Sequence, residues 1–199
     1  MVKRLFDILA SAAGIVVLWP LFVLSAILIW KDDNKGPLFF KQVRVGQNGR
    51  PFEILKFRTM SVTKSQASTQ VTQASDSRIT RPGRLLRKWK LDELPQLVNV
   101  LKGDMSIVGP RPEVPYFMEK YPDRQRKIIL SMKPGITDLA AIEFRNEQEI
   151  LQNYEDIEKA YIDIIMPIKF RLYNKYSKKK SLFFDIKIIF LTLKNIILR

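Results

Sequence analysis

LFDILASAAGIVVLWPLFVLSAILIW, residues 5–30, carries a single charged side chain, Asp7. Such a run is long enough to cross a hydrocarbon core of ~30 Å as one helix. It therefore decides whether the chain is a free globule or a membrane-attached one. The run is long for a signal peptide, and no small-residue cleavage site leads into a mature start. Two features argue against a plain crossing. Lys3 and Arg4 precede the run and Lys31 and Lys35 follow it, so cation excess does not choose an orientation. Pro20 lies inside, where it removes a backbone donor and bends a helix. A helix that enters, bends near Trp19-Pro20 and returns to the same face satisfies both facts. An ordinary single-span anchor is the plainer alternative, and a buried core helix a third.

Composition narrows the chemistry. The 199 residues suit one domain with appendages and are enough for a real core. The net charge of +14 calls for an anionic partner: nucleic acid, an anionic membrane face or a phosphorylated substrate. Cysteine and histidine are both absent. That removes disulfides, thiol nucleophiles, the usual zinc sites and the Ser-His-Asp triad. Oxygen-ligand chemistry with a hard cation such as Mg²⁺ remains.

Beyond the apolar run, residues 37–45 and 52–57 are rich in aromatic and β-branched residues and alternate in polarity. The Asn48-Gly49 turn signal between them predicts a β-hairpin. Its second strand runs into Lys56-Phe57-Arg58-Thr59-Met60, where two cations flank an aromatic. They could hold a diphosphate or simply face solvent. Residues 61–77 are rich in Ser, Thr, Gln and Ala without an apolar period, and read as a mobile loop or lid.

The densest chemistry begins at Arg78. Arg81, Arg84, Arg87, Lys88 and Lys90 precede two adjacent acids in Leu91-Asp92-Glu93-Leu94-Pro95-Gln96. Leu94, Leu97, Val98 and Leu101 then recur at helical spacing. Pro95 is tolerated only in a first turn, so the helix is expected to begin close to Asp92 and to stop at Gly103. Asp92 could merely cap that helix, worth roughly 1 kcal/mol. A cap does not account for two acids beside a cation cluster. Val108-Gly109-Pro110-Arg111-Pro112 follows, and its prolines stiffen the backbone around an arginine. A preorganised guanidinium can grip a phosphate through two parallel hydrogen bonds.

Together with Lys102-Gly103-Asp104-Met105-Ser106 and Lys133-Pro134-Gly135-Ile136-Thr137, these motifs occur in an order that resembles the bacterial sugar transferases. More narrowly, they resemble the small monotopic phosphoglycosyl transferases. The likeness runs from about Lys3 to the C-terminal helix. It implies a re-entrant membrane helix broken at a proline over 1–35 and a cytoplasmic-face catalytic domain over 36–199. The expected fold is α+β and mostly helical, with a small hairpin and amphipathic interfacial helices. The implied reaction moves a phosphosugar from a UDP-sugar to polyprenyl (undecaprenyl) phosphate and releases UMP, an early membrane step of glycoconjugate assembly. Asp92 matches the nucleophile that would carry the phosphosugar covalently. Asp92 and Glu93 would hold Mg²⁺, and Arg111, Arg87, Lys56 and Arg58 would contact phosphates. The implied partners are the donor, the lipid acceptor and anionic membrane lipids on the cytoplasmic face of the inner membrane. The resemblance is compatible with a homodimer.

The chain departs from the family pattern after Thr137. It reads Asp138-Leu139-Ala140-Ala141-Ile142-Glu143-Phe144-Arg145, where many relatives carry Gly and, later, Asn-Gly-Arg. Arg145 is expected to keep the arginine role near nucleotide or sugar. Asp138 and Glu143 change the polarity and so bear on the sugar selected. Residues 146–165 predict a helix with a solvated acidic face, ended by Pro167. Residues 182–198 predict an apolar helix with Lys187 and Lys194 on one side, suited to a membrane interface or to a core. Nucleic-acid binding would use the charge. It lacks a basic recognition helix or a stacking platform, and it leaves the apolar N-terminus unexplained. A non-catalytic membrane anchor explains that terminus but not the ordered motifs.

Overall fold

The computed structural model describes residues 1–32, 36–61, 76–144 and 147–198. The architecture is mostly helical around two small sheets. Helix α1 runs from Val2 to Asp32 with Pro20 inside it. Strands β1 (Phe39–Val45) and β2 (Pro51–Phe57) form the expected antiparallel hairpin, in register from Phe39 opposite Phe57 to Val45 opposite Pro51. Its turn places Asn48 and Gly49 at φ 57° and 77°, the left-handed region that Asn and Gly tolerate best.

Helix α2 (Arg81–Lys88) starts at Thr80, whose hydroxyl accepts from Gly83 N. The next segment differs from expectation. Asp92 lies in a short 3₁₀ turn, Leu91–Glu93, entered through Lys90 at φ 57°. Regular helix, α3, begins only at Gln96 and ends at Lys102, with Gly103 at φ 97° as its stop. Pro95 accounts for the delay, because it occupies the cap position and supplies no donor.

A second sheet escaped the sequence reading. β3 (Ser106–Val108) and β4 (Gly135–Thr137) pair in parallel. Between them run α4 (Pro115–Lys120) and α5 (Asp123–Leu130). This pair demands glycine at two places. A Cβ on Gly135 would stand 2.1 Å from Gly109 N, and one on Gly109 2.2 Å from Lys133 O.

After β4 come α6 (Leu139–Glu143), α7 (Glu147–Leu151) and α8 (Ile157–Ala160). The single helix expected over 146–165 is thus divided, with Asp156 capping a fresh start at α8 through Lys159 N. Pro167 does not end a helix. A π-helical turn, Tyr161–Ile165, leads directly into α9 (Met166–Lys179), and Pro167 sits in the first turn of α9, where a missing donor is tolerated. Nor is the acidic face wholly solvated, since Glu147 meets the buried Lys169 at 2.8 Å. Helix α10 (Leu182–Ile197) closes the chain and is capped by Ser181.

The main core gathers Val114, Phe117, Tyr121, Ile129, Tyr161, Ile165 and Tyr173 from α4, α5 and the π–α9 helix. A separate cluster of Ile29, Phe57 and Leu86 joins α1 to β2 and α2. Helix α1 is attached at both ends and at its middle. Near its start, Arg4 donates to Val100 O and Leu101 O at 2.5 and 2.8 Å. The buried Asp7 carboxylate accepts from Ser106 Oγ at 2.9 Å and Ile107 N at 3.2 Å. Gly14 lies against Leu97, and Phe22 meets Phe57 edge-on with centroids 5.7 Å apart. The opposite face exposes Leu5, Leu9, Val16, Val17, Trp19, Val23, Leu24, Ile27 and Trp30. Such an apolar face on one helix is the kind of surface that marks a protein or membrane contact.

Candidate active site

Three elements meet at the carboxylate pair: the last residues of β2, the 3₁₀ turn and the loop after β3. Parallel pairing fixes that loop. Gly135 N donates to Pro110 O at 2.9 Å, and Val45 N to Glu113 O at 3.0 Å. Arg44 adds a bond from Nη1 to Pro112 O at 3.1 Å. The stiff Pro110-Arg111-Pro112 turn is therefore held from two sides. Arg111 Nη2 reaches Glu93 Oε1 at 2.7 Å, and Lys56 Nζ reaches the same oxygen at 2.9 Å.

Asp92 is treated differently by its surroundings. It is 8% exposed, and its Oδ1 is buried without a hydrogen-bond partner among the described residues. It is not a helix cap. A buried acceptor left unsatisfied costs about 1–3 kcal/mol. Burial first, then the neighbouring Glu93 charge, push the Asp92 carboxyl above its ordinary value; Lys56, Lys90 and Arg87 act against them. Burial acts on Glu93 in the same direction, but Arg111 and Lys56 outweigh it and hold Glu93 well below the usual carboxylate range. Two adjacent acids with opposed proton affinities suit different tasks. Glu93 is a fixed anion that organises the cations. Asp92 offers an oxygen.

The other sequence candidates fall around this centre. Arg87 Nε donates to Thr59 Oγ1 at 2.8 Å, and its charge is felt at Asp92. Arg58 sits beyond the end of β2 and reaches Gly36 O through Nη2 at 3.4 Å. It lines a small cleft with Ile29, Asp32, Met60 and Thr80. Arg145, and residues 62–75 of the expected loop, lie outside the described residues. Asp138 is buried, and its Oδ1 accepts from Ala141 N at 2.8 Å as the cap of α6; Glu143 is exposed. Sequence reading gave no role to Thr59, Arg44 or Gln96. Gln96 is buried, and its amide nitrogen has no partner among the described residues.

Among the described residues no three acids gather into one cluster. Mg²⁺ does not require that. It is commonly held by one or two carboxylates, with waters and substrate phosphates completing the octahedron. The unpartnered Asp92 oxygen beside Glu93 fits such a half-built site. A stiffly held arginine, a half-buried lysine and a carboxylate with a spare oxygen stand together, in a body whose first helix exposes an apolar face.

The chain matches the family model for the bacterial sugar transferases over residues 1–199. Named relatives agree. The chain is 38% identical over 98% of its length to the UDP-N-acetylgalactosamine-undecaprenyl-phosphate N-acetylgalactosaminephosphotransferase of Aeromonas hydrophila. It is 39% identical over 96% of its length to the UDP-glucose:undecaprenyl-phosphate glucose-1-phosphate transferase of Escherichia coli K12. The uncharacterized sugar transferase EpsL of Bacillus subtilis 168 is 38% identical over 98% of the chain and is itself covered to 87%. The chain spans only 44% and 39% of the Aeromonas and Escherichia proteins. It belongs to the bacterial sugar transferase family.

Proposed function

We propose that the chain transfers a phosphosugar from a UDP-sugar to polyprenyl phosphate, releasing UMP and forming a polyprenyl diphosphosugar, through a covalent intermediate on Asp92. The observation that carries this is the contrast within the acid pair: Glu93 is bound by Arg111 and Lys56, while buried Asp92 keeps an oxygen without a partner.

In the first step a carboxylate oxygen of Asp92 attacks the β-phosphorus of the donor. The bond from that phosphorus to the bridging oxygen breaks, and UMP departs with the electron pair. In the second step a phosphate oxygen of the lipid acceptor attacks the same phosphorus. The Asp92–phosphorus bond breaks and the carboxylate is restored. No proton need be removed from either nucleophile, which suits a chain without histidine. A raised proton affinity strengthens Asp92 as a nucleophile while it is ionised. Arg111 and Arg87 bind and orient the diphosphate, Lys56 and Arg58 are assigned as further phosphate contacts, and Arg145 is assigned to the nucleotide or sugar. Catalysis of this type rests on positioning and charge stabilisation. Mg²⁺ bound at Asp92 and Glu93 would offset the repulsion between carboxylate and diphosphate.

The acceptor is a lipid, so the site must stand at the membrane. Residues 1–35 would form the membrane element, re-entrant with its bend at Pro20, and residues 36–199 the cytoplasmic-face domain. Both ends of α1 are tied to the same body, by Arg4 and Asp7 at one end and Ile29 at the other. That supports an entry and exit on one face. Helix α10 exposes Phe183, Ile186, Phe190, Leu193 and Ile197, a stripe suited to lying in the interface with Lys187 and Lys194 reaching the headgroups.

UMP release from a panel of UDP-sugars, measured with detergent-solubilised protein, Mg²⁺ and undecaprenyl phosphate, tests the reading. The wild type should release UMP from at least one donor and Asp92→Asn from none. Equal rates would return Asp92 to a structural role.

A further inference from the structure

We propose that Lys169 is a positioning residue that aims Arg111 at the donor diphosphate by tying the Pro-Arg-Pro loop to the start of α7; this rests on the donor-binding role given to Arg111 above. Lys169 lies on α9 and is 3% exposed. A buried ammonium is unfavourable unless it is fully partnered, and here the partners come from separate segments. Nζ lies 2.8 Å from Glu147 Oε2 at the first residue of α7, and 2.9 Å from the hydroxyl of Tyr161. That hydroxyl donates onward to Glu113 Oε1 at 2.8 Å, and Glu113 Oε1 is itself 3.9 Å from Nζ.

Glu113 is separated from Arg111 only by Pro112, whose ring leaves little backbone freedom. Displacing the Glu113 side chain therefore turns the arginine. The loop's backbone carbonyls are held by Gly135 N, Val45 N and Arg44 Nη1, and the Arg111 side chain itself by Glu93. Lys169 and Tyr161 anchor the loop at the Glu113 side chain. Tyr161 opens the π-helical turn, an irregularity often found beside functional sites. The charges are coupled as well: Glu147 favours the protonated form of Arg111, and Arg111 opposes that of Lys169.

A core lysine with a purely structural role would also be partnered. What separates the two roles is dependence on Arg111. The test is a double-mutant cycle on UDP affinity, by titration calorimetry in Mg²⁺ buffer, with Lys169→Met and Arg111→Met. Lys169→Met should weaken UDP about tenfold in the wild-type background and hardly at all once Arg111 is gone. Equal losses in both backgrounds, or a lowered melting temperature with unchanged UDP affinity, would overturn the inference. Should Lys169→Met fail to fold, Tyr161→Phe takes its place in the cycle, since it removes the hydroxyl that links Lys169 to Glu113. Wild-type protein that does not bind UDP would remove the donor reading and this inference together. Wild-type binding with additive losses would remove this inference alone.

Discussion

Arg111 donates through Nη2 to Glu93 Oε1 at 2.7 Å, the same oxygen that Lys56 reaches at 2.9 Å. One carboxylate oxygen thus gathers two cations from separate elements and holds them beside Asp92. The Arg111 side chain is still 34% exposed, so a phosphate can approach its remaining donors while the Glu93 contact keeps the guanidinium in place.

Replacing Arg111 by Met should therefore act mainly on donor binding. The expected result is a rise in KM for the UDP-sugar on the order of 10- to 100-fold, from the loss of charge-assisted hydrogen bonds. Steady-state kinetics with saturating lipid acceptor measures it. An unchanged KM would place the diphosphate elsewhere.

The pH profile follows from the acid pair. In the proposed mechanism Asp92 attacks as an ionised carboxylate, and its carboxyl is pushed above the ordinary 3.8 by burial and by Glu93. The acid limb of kcat/KM should therefore fall at a pH above that of an ordinary aspartate. Lys56 favours the charged form of Asp92, so Lys56→Met should move the limb to still higher pH. A limb that stays in place would mean that another group controls it.

Stability should respond to pH at Asp138. Burial raises this carboxyl from 3.8 to about 6, so the folded state holds its proton more tightly than the unfolded chain. The stabilisation is full below pH 3.8 and lost as pH rises through about 6. Across that window it amounts to at most about 3 kcal/mol. Asp138→Asn keeps an oxygen for Ala141 N but does not titrate. Its melting temperature relative to wild type should rise between pH 4 and pH 8. A constant difference would contradict the burial argument.

The hairpin was readable because strict alternation and an Asn-Gly turn are local signals. The acid pair and Arg111 were readable for a similar reason: adjacent charges and prolines announce themselves without a fold. Their contact was not, since Lys56, Glu93 and Arg111 come from three elements. The β3–β4 pair was missed because each strand has three residues, too few to show a period, and the pairing is nonlocal. Arg58 was grouped with Lys56, but it lies past the end of β2, where strand alternation no longer fixes direction. Asp138 departs from the family pattern in the sequence, but its part as the cap of α6 shows only in the fold. Nothing local in 161–169 marked Lys169 as buried or Pro167 as tolerated, because the π turn depends on tertiary packing.

That nonlocal sheet gives its own test. A methyl group at Gly135 would meet Gly109 N at 2.1 Å, and neither partner is a side chain that can move aside. Gly135→Ala should destabilise the protein by about 3 kcal/mol, at the upper end of overpacking costs, and should loosen the Arg111 loop that the strand pair supports. Denaturant unfolding reads the first effect and KM for the donor the second. A stability loss without a KM change would separate the sheet from the site.

The central claim is that Asp92 becomes covalently loaded with the phosphosugar. Incubating the protein with Mg²⁺ and its UDP-sugar without lipid acceptor, quenching, and mapping peptides by mass spectrometry tests it directly. The account predicts a phosphosugar adduct on the peptide at Asp92 that disappears when polyprenyl phosphate is added before the quench. Turnover by a wild-type sample that never shows the adduct, or an adduct retained in Asp92→Asn, would contradict it.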